Sequence, residues 1–75
     1  MTHQERLERA IKAFRVGDLE VAEKLTGSIT AEFPDLPAAH VLLGTIFGRQ
    51  KRYGKAIESF SEAAKLDPKN PEAFN

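Results

Sequence analysis

The sequence contains no cysteine and no tryptophan, and its positive and negative charges balance at eleven each. Because there is no cysteine, disulfides and thiolate metal sites are excluded. Because there is no positive excess, the chain lacks the basic surface that binds nucleic acid or an acidic membrane. We therefore expect neither nucleic acid nor a membrane as a partner.

Long hydrophobic runs are also missing. The longest apolar cluster, Val41-Leu42-Leu43, is far too short to span a bilayer. Residues 1–6 are polar or charged and lead into no apolar segment of the kind found in secretory signals. We therefore expect a cytoplasmic location. The 75 residues suffice for one small domain with a modest core.

Apolar residues recur at helical spacing in four segments, and no strand pattern competes with them. The pattern predicts helices over about residues 3–15, 19–32 and 37–50. A fourth helix is expected to follow a turn at Lys51–Gly54 and to end at Leu66. Connections this short make sequential helices pair as antiparallel hairpins. The predicted fold class is therefore all-α, with two stacked helical hairpins in a single domain.

Several residues carry signals for helix ends. Thr2 and Glu5 have the spacing of a capping box, and Asp18 suits the residue before the second helix. Gly17 suits the left-handed residue that ends the first helix. Gly27 lies inside the second helix, where glycine costs about 1 kcal/mol relative to alanine. Close helix packing is the only reason we expect for it.

A period of 34 residues runs through the chain. The residues that recur at this spacing are Pro34 and Pro68, Pro37 and Pro71, and Ala22 and Ala56. The second period carries a sparse pattern of large, small and aromatic positions, namely His40-x-x-Leu43-Gly44-x-x-Phe47, Ala56-x-x-x-Phe60 and Pro68. With two helices per period, this pattern resembles the tetratricopeptide repeat. His40 departs from it, since tryptophan is usual there.

The resemblance implies a packing role for each matched position. Gly44 and Ala56 would lie where the two helices of a hairpin approach most closely, and the aromatic residues would fill the space between helices. It also divides the chain into repeat 1 at about 3–36, repeat 2 at about 37–70, and the start of a third repeat at 71–75. Repeat 1 matches less well than repeat 2.

The same resemblance implies a non-catalytic protein-interaction module. In such repeats the first helix of each unit lines a concave groove that holds a peptide or a partner helix. The residues that would line it here are Leu7, Ile11, Phe14, Arg15, Val41, Thr45 and Arg49, with Gln4, Ala38 and Gly48 beside them. The arginines lie one period apart and could bind an acidic group. The alternative is that the apolar residues only pack within their own hairpin and the arginines are solvated.

The C-terminal hairpin offers a second candidate surface. In a longer array a following helix would cover it, and terminal repeats need a polar cap. The apolar residues that we expect to be partly bare without one are Phe60, Ala64 and Leu66, with Ile46 beside them and Phe74 in the third unit. A bare apolar patch marks an interaction site or an aggregation liability. Either the chain is a piece of a longer repeat protein, in which a following helix covers this end, or it self-associates there as a homodimer.

Candidate catalytic residues are few. The two histidines, His3 and His40, are assigned to a first helical turn and to a packing position. Ser28, Ser59 and Ser61 lie on predicted helices with no base expected nearby. We therefore predict no catalytic residue, no metal site and no cofactor. Because repeats of this family are often fused to catalytic domains, the rival hypothesis is an N-terminal substrate-positioning segment of a larger enzyme, such as a glycosyltransferase or sulfotransferase.

Overall fold

The computed structural model describes residues 2–66, and within that range it contains four α-helices and no strand. The helices are α1 (His3–Arg15), α2 (Leu19–Glu32), α3 (Pro37–Arg49) and α4 (Tyr53–Leu66). The predicted all-α fold is confirmed. The expectations for Pro68, for residues 71–75 and for Phe74 lie outside the described residues.

Thr2 and Asp18 both cap their helices as predicted, but the Glu5 carboxylate meets the Thr2 hydroxyl instead of the Thr2 backbone N–H that a capping box uses. The Glu5 N–H donates to Thr2 Oγ1 at 3.1 Å, and the Thr2 hydroxyl donates to the Glu5 carboxylate at 3.4 Å. The Val21 N–H donates to Asp18 Oδ1 at 3.4 Å. Each cap satisfies a backbone donor that the first helical turn cannot satisfy itself.

The first helix of each hairpin ends in the same way. Gly17 and Lys51, one period apart, both have positive φ, at 85° and 63°. In both hairpins this residue and the next donate back to carbonyls of the last turn, at 2.8–3.1 Å, which is the Schellman arrangement. The prediction for Gly17 is confirmed.

The turn predicted at Lys51–Gly54 is shorter than expected. The Arg52 carbonyl accepts from the Ala56 N–H at 3.0 Å, so helical hydrogen bonding starts there and α4 begins at Tyr53. The assignment of Tyr53 and Gly54 to the turn was therefore wrong. The reason is that Lys51 alone reverses the chain, by taking the left-handed conformation that usually falls to glycine.

The helices pair as two hairpins, α1 with α2 and α3 with α4, and α3 also packs against α2 and meets α1. Small residues supply much of the core. Its buried members are Ala10, Ala22, Thr26, Ile29, Ala39, Ile46, Phe47, Ala56, Ser59 and Ala63. The Thr26 hydroxyl is satisfied by the Ala22 carbonyl at 2.7 Å. Small side chains let the helix axes approach closely, and this shape positions the surfaces described below.

Two glycines have opposite surroundings. A Cβ on Gly44 would lie 2.9 Å from Phe60 Cε1, so the predicted close approach inside the second hairpin is confirmed. A Cβ on Gly27 would meet no described atom within 4 Å. Close helix packing was therefore the wrong reason for Gly27, because its side of α2 is open.

Candidate partner-binding surfaces

Two of the residues predicted to line the groove, Phe14 on α1 and Arg49 on α3, are in contact. The Arg49 guanidinium carbon lies 5.2 Å from the centroid of the Phe14 ring, so the last turns of α1 and α3 stand side by side. A cation at this distance from an aromatic face is attracted by the ring quadrupole. Arg49 lies one repeat period after Arg15 in the sequence.

The other groove residues are only partly covered. Leu7, Ile11, Phe14, Val41 and Thr45 are half-buried, whereas Arg15 and Arg49 are exposed. Of the neighbours, Gln4 and Ala38 are exposed and Gly48 is half-buried. Packing within the hairpins therefore uses part of each apolar side chain and leaves the rest accessible.

The polar groups of the groove differ in what they offer. The Thr45 hydroxyl donates to the Val41 carbonyl at 2.9 Å, so its remaining capacity is that of an acceptor. Arg15 and Arg49 form no ion pair within residues 2–66. The two guanidinium groups are exposed and hold no ion pair among the described residues.

The open side of the second hairpin is an apolar stripe on α4, formed by Tyr53, Ile57, Phe60 and Ala64. The stripe follows helical spacing i, i+4, i+7 and i+11. Tyr53 and Ile57 are 62% and 66% exposed, while the other two are half-buried. Sequence reasoning missed Tyr53 because it was assigned to the turn, and did not single out Ile57. The spacing itself was the available signal.

The remaining predictions for this end have mixed outcomes. Leu66 is exposed, as expected for a bare end. Ile46 is fully buried at 0% exposure, so the expectation that it is partly bare was wrong. Ile46 lies seven residues after the buried Ala39 and shares its face of α3, which faces the core.

A cleft of about 310 Å³ lies between α3 and α4. We call it the α3–α4 cleft. Its lining residues are His40, Leu43 and Phe47 from α3, and Lys55, Glu58, Ser59 and Glu62 from α4. The sequence did not predict this cleft, and no base was expected near Ser59. In the structure Ser59 and His40 line the same cleft.

The histidines are engaged in structural contacts. His40 Nε2 lies 2.8 Å from the Pro34 carbonyl oxygen, to which it donates because a carbonyl can only accept. The His3 ring packs against the Phe33 ring with centroids 4.8 Å apart. These contacts agree with the structural roles predicted for both residues.

A polar cluster joins α2 to the α3–α4 turn. Glu23 Oε1 accepts from Gln50 Nε2 and from Arg52 Nη1, each at 3.0 Å. The hydrogen bond from Gln50, together with the hydrogen bond and charge of Arg52, lowers the pKa of Glu23 below its ordinary value of 4.5, against the opposing effect of burial. The Arg52 guanidinium also lies 4.8 Å from the Phe47 ring centroid. The cluster fixes one hairpin on the other.

Neither a metal-ligand cluster nor a membrane-spanning helix is present among residues 2–66. No group of three or more acidic, histidine or cysteine side chains there is arranged to hold a metal ion. In the same range, every helix is too short or too polar to cross a bilayer.

Comparison with known proteins identifies the second hairpin. The family model described as "Tetratricopeptide repeat" matches residues 37–70. Among curated proteins, protein O-mannosyl-transferase TMTC1 of Mus musculus is 35% identical over 80% of the chain, and its Homo sapiens counterpart is 30% identical over 80%. The chain spans only 6% and 7% of the length of these relatives. No solved structure matches significantly. The repeat pattern, the geometry of the α3–α4 hairpin and the family match agree: over residues 37–70 the sequence matches a tetratricopeptide repeat.

Proposed function

We propose that the chain binds a protein partner in the groove between α1 and α3. A tetratricopeptide repeat supports a protein-interaction module, and the groove is where this chain offers apolar surface beside free cations. The observation that carries the proposal is the Arg49 guanidinium over the Phe14 ring, at 5.2 Å. This contact joins the last turns of α1 and α3 into one continuous surface.

The chemistry of the groove favours a peptide or helix with apolar residues next to an acidic one. Ile11 and Val41 are half-buried and can cover the apolar part of such a segment. Arg15 and Arg49 are exposed and can pair with its carboxylate. Pairs at this exposure contribute modestly to affinity and more to orientation and specificity.

Selection of displayed twelve-residue peptides on the chain tests this proposal. We expect the enriched peptides to combine apolar residues with Asp or Glu. The double substitution Arg15→Glu and Arg49→Glu should weaken their binding about tenfold or more, because two favourable pairs become repulsive. Arg9→Glu is the matched control, since Arg9 is an exposed arginine elsewhere on α1 and should leave the affinity nearly unchanged.

A different result would contradict the proposal. Enriched peptides without acidic residues, or equal binding to the double variant and to the Arg9→Glu control, would show that the arginines are solvated surface residues. The half-buried apolar side chains would then serve packing alone.

Self-association is a second candidate function, favoured by the stripe on α4. Tyr53 and Ile57 expose most of their side chains on the same helix face as Phe60. Apolar residues grouped in this way mark a contact surface more than residues scattered singly do. We propose a homodimer in which two stripes cover each other, with Leu66 at the edge.

The named relatives favour a third reading, in which the chain is a non-catalytic segment of a larger enzyme. Both carry the name protein O-mannosyl-transferase, and the chain matches a small fraction of each. A mannosyl-transferase is a glycosyltransferase, the first of the two enzyme classes expected for such a fusion. Reading the gene beyond the codon for Asn75 separates the possibilities: a catalytic domain favours the segment, further repeats favour a scaffold, and a stop codon favours a small adaptor.

A further inference from the structure

The α3–α4 cleft is a separate surface from the groove. His40, Leu43 and Phe47 line it from α3. They lie on a different face of α3 from the groove residues Val41 and Thr45, because neighbouring positions are turned by about 100° around a helix. A ligand in the cleft would therefore leave the groove free.

The wall of the cleft contains a serine hydroxyl that has no partner among the described protein groups. Ser59 is only 7% exposed, and its side chain forms no hydrogen bond within residues 2–66. No fully enclosed side-chain nitrogen or oxygen in that range lacks a partner, so the Ser59 hydroxyl reaches solvent through the cleft. A polar group beside the apolar side chains of Leu43 and Phe47 can fix the orientation of a ligand.

The rim of the cleft carries an excess of negative charge. Glu58 and Glu62 stand one helical turn apart on α4, where like charges repel. Glu58 has no ion pair among the described residues, and Glu62 has only an exposed pair with Lys65 at 3.5 Å, which contributes little. Lys55 Nζ lies 5.7 Å from the Phe47 ring centroid, so the positive charge of Lys55 is held at the Phe47 end.

We propose that the α3–α4 cleft binds one long basic side chain, of the arginine type, from a protein partner. The aliphatic stem packs on Leu43 and the edge of the Phe47 ring. The guanidinium donates to the Ser59 hydroxyl and pairs with the carboxylates of Glu58 and Glu62. The incoming cation removes the repulsion between the two carboxylates and gives the buried hydroxyl a donor.

The size of the α3–α4 cleft agrees with this occupant. About 310 Å³ lies at the small end of the range for ligand pockets, so the cleft suits one side chain rather than a cofactor. An acidic side chain would meet two carboxylates at the rim. A purely apolar side chain would leave the Ser59 hydroxyl without a partner.

Titration of the ¹⁵N-labelled chain tests the proposal, with acetylated and amidated Gly-Arg-Gly as the probe. We expect saturable amide shifts at Leu43 and Ser59. The same tripeptide with citrulline, which has nearly the same shape without the charge, should bind about fivefold more weakly, and Gly-Glu-Gly more weakly still. The double substitution Glu58→Gln and Glu62→Gln should weaken the arginine peptide by a similar factor.

Controls keep the test specific to the cleft. Glu8→Gln with Glu20→Gln changes the net charge equally at exposed positions outside the cleft and should leave binding unchanged. Ser59→Ala keeps the volume of the site and should weaken binding without unfolding the chain. Equal affinity for the citrulline peptide, unchanged affinity in the Glu58→Gln and Glu62→Gln variant, or shifts confined to the groove around Phe14 would each overturn the proposal.

Discussion

Gly44 is the residue at which the second hairpin leaves no room for a side chain. A Cβ there would lie 2.9–3.0 Å from three carbons of the Phe60 ring, so the ring has to move. Overpacking of this kind costs about 1–3 kcal/mol, which exceeds the gain of up to about 1 kcal/mol from replacing a helical glycine by alanine. We expect Gly44→Ala to lower the free energy of unfolding, measured by urea denaturation.

Gly48, in the same helix, is the matched control. A Cβ on Gly48 would meet no described atom within 4 Å, so Gly48→Ala should stabilise the chain by up to about 1 kcal/mol. The two substitutions are thus expected to have opposite signs. If both stabilise the chain equally, the contact between Gly44 and Phe60 does not limit the packing of the hairpin.

At this scale the sequence predicts residues whose role is local or strictly periodic. The cap at Asp18 and the left-handed Gly17 depend on neighbours within a few positions, and both were predicted. Lys51 was missed because lysine seldom adopts positive φ, and only its place one period after Gly17 indicated it. Gly27 was misinterpreted because the space around a residue depends on other helices.

Glu23 links α2 to the α3–α4 turn, and its contribution to the free energy of unfolding can be measured as a function of pH. Its pKa is lowered by the hydrogen bond from Gln50 and by Arg52. A carboxylate with a lowered pKa stabilises the fold above its unfolded pKa, here the ordinary value of 4.5, and this stabilisation is lost as pH falls through the folded pKa. We expect Glu23→Gln to destabilise the chain at pH 7 by about 0.5–1 kcal/mol, as for a partly exposed pair.

The difference between wild type and Glu23→Gln should therefore shrink when denaturation is repeated at acid pH, because Glu23 becomes protonated as the pH falls through its lowered folded pKa. Glu20→Gln, an exposed position one turn earlier on α2, is the control and should change stability by less than about 0.5 kcal/mol at either pH. A difference that stays constant from pH 7 to pH 3 would show that the Glu23 charge contributes nothing.

The helices themselves could be predicted, while the surfaces between them could only partly be predicted. Helical periodicity and caps depend on residues that are near one another in the sequence, and they predicted the bounds of α1 and α2 correctly. The α3–α4 cleft depends on which faces of two helices turn toward each other, and on small residues such as Ser59 that leave space between them. The pattern of residues along one helix cannot predict the space between two helices.

The molecule combines three candidate binding surfaces, namely the proposed groove, the α3–α4 cleft and the apolar stripe, with a small hydrophobic core. Chains this short bury a modest fraction of their surface and gain stability from association. The stripe groups two large apolar side chains that are mostly exposed, Tyr53 and Ile57, on one face of α4. Association of two chains through this face would bury apolar area that the isolated hairpin leaves in water.

We therefore expect the chain to form a concentration-dependent dimer, measured by sedimentation equilibrium from low to high micromolar concentration. Ile57→Lys should keep the chain monomeric, because dimerisation would then place a charge in the apolar contact. Val16→Lys is the matched control. Val16, at the end of α1, is like Ile57 an exposed β-branched apolar residue, but it lies outside the stripe, so this variant should dimerise like wild type. A folded wild-type monomer at high micromolar concentration would refute self-association, and the stripe would then be a surface for a different partner.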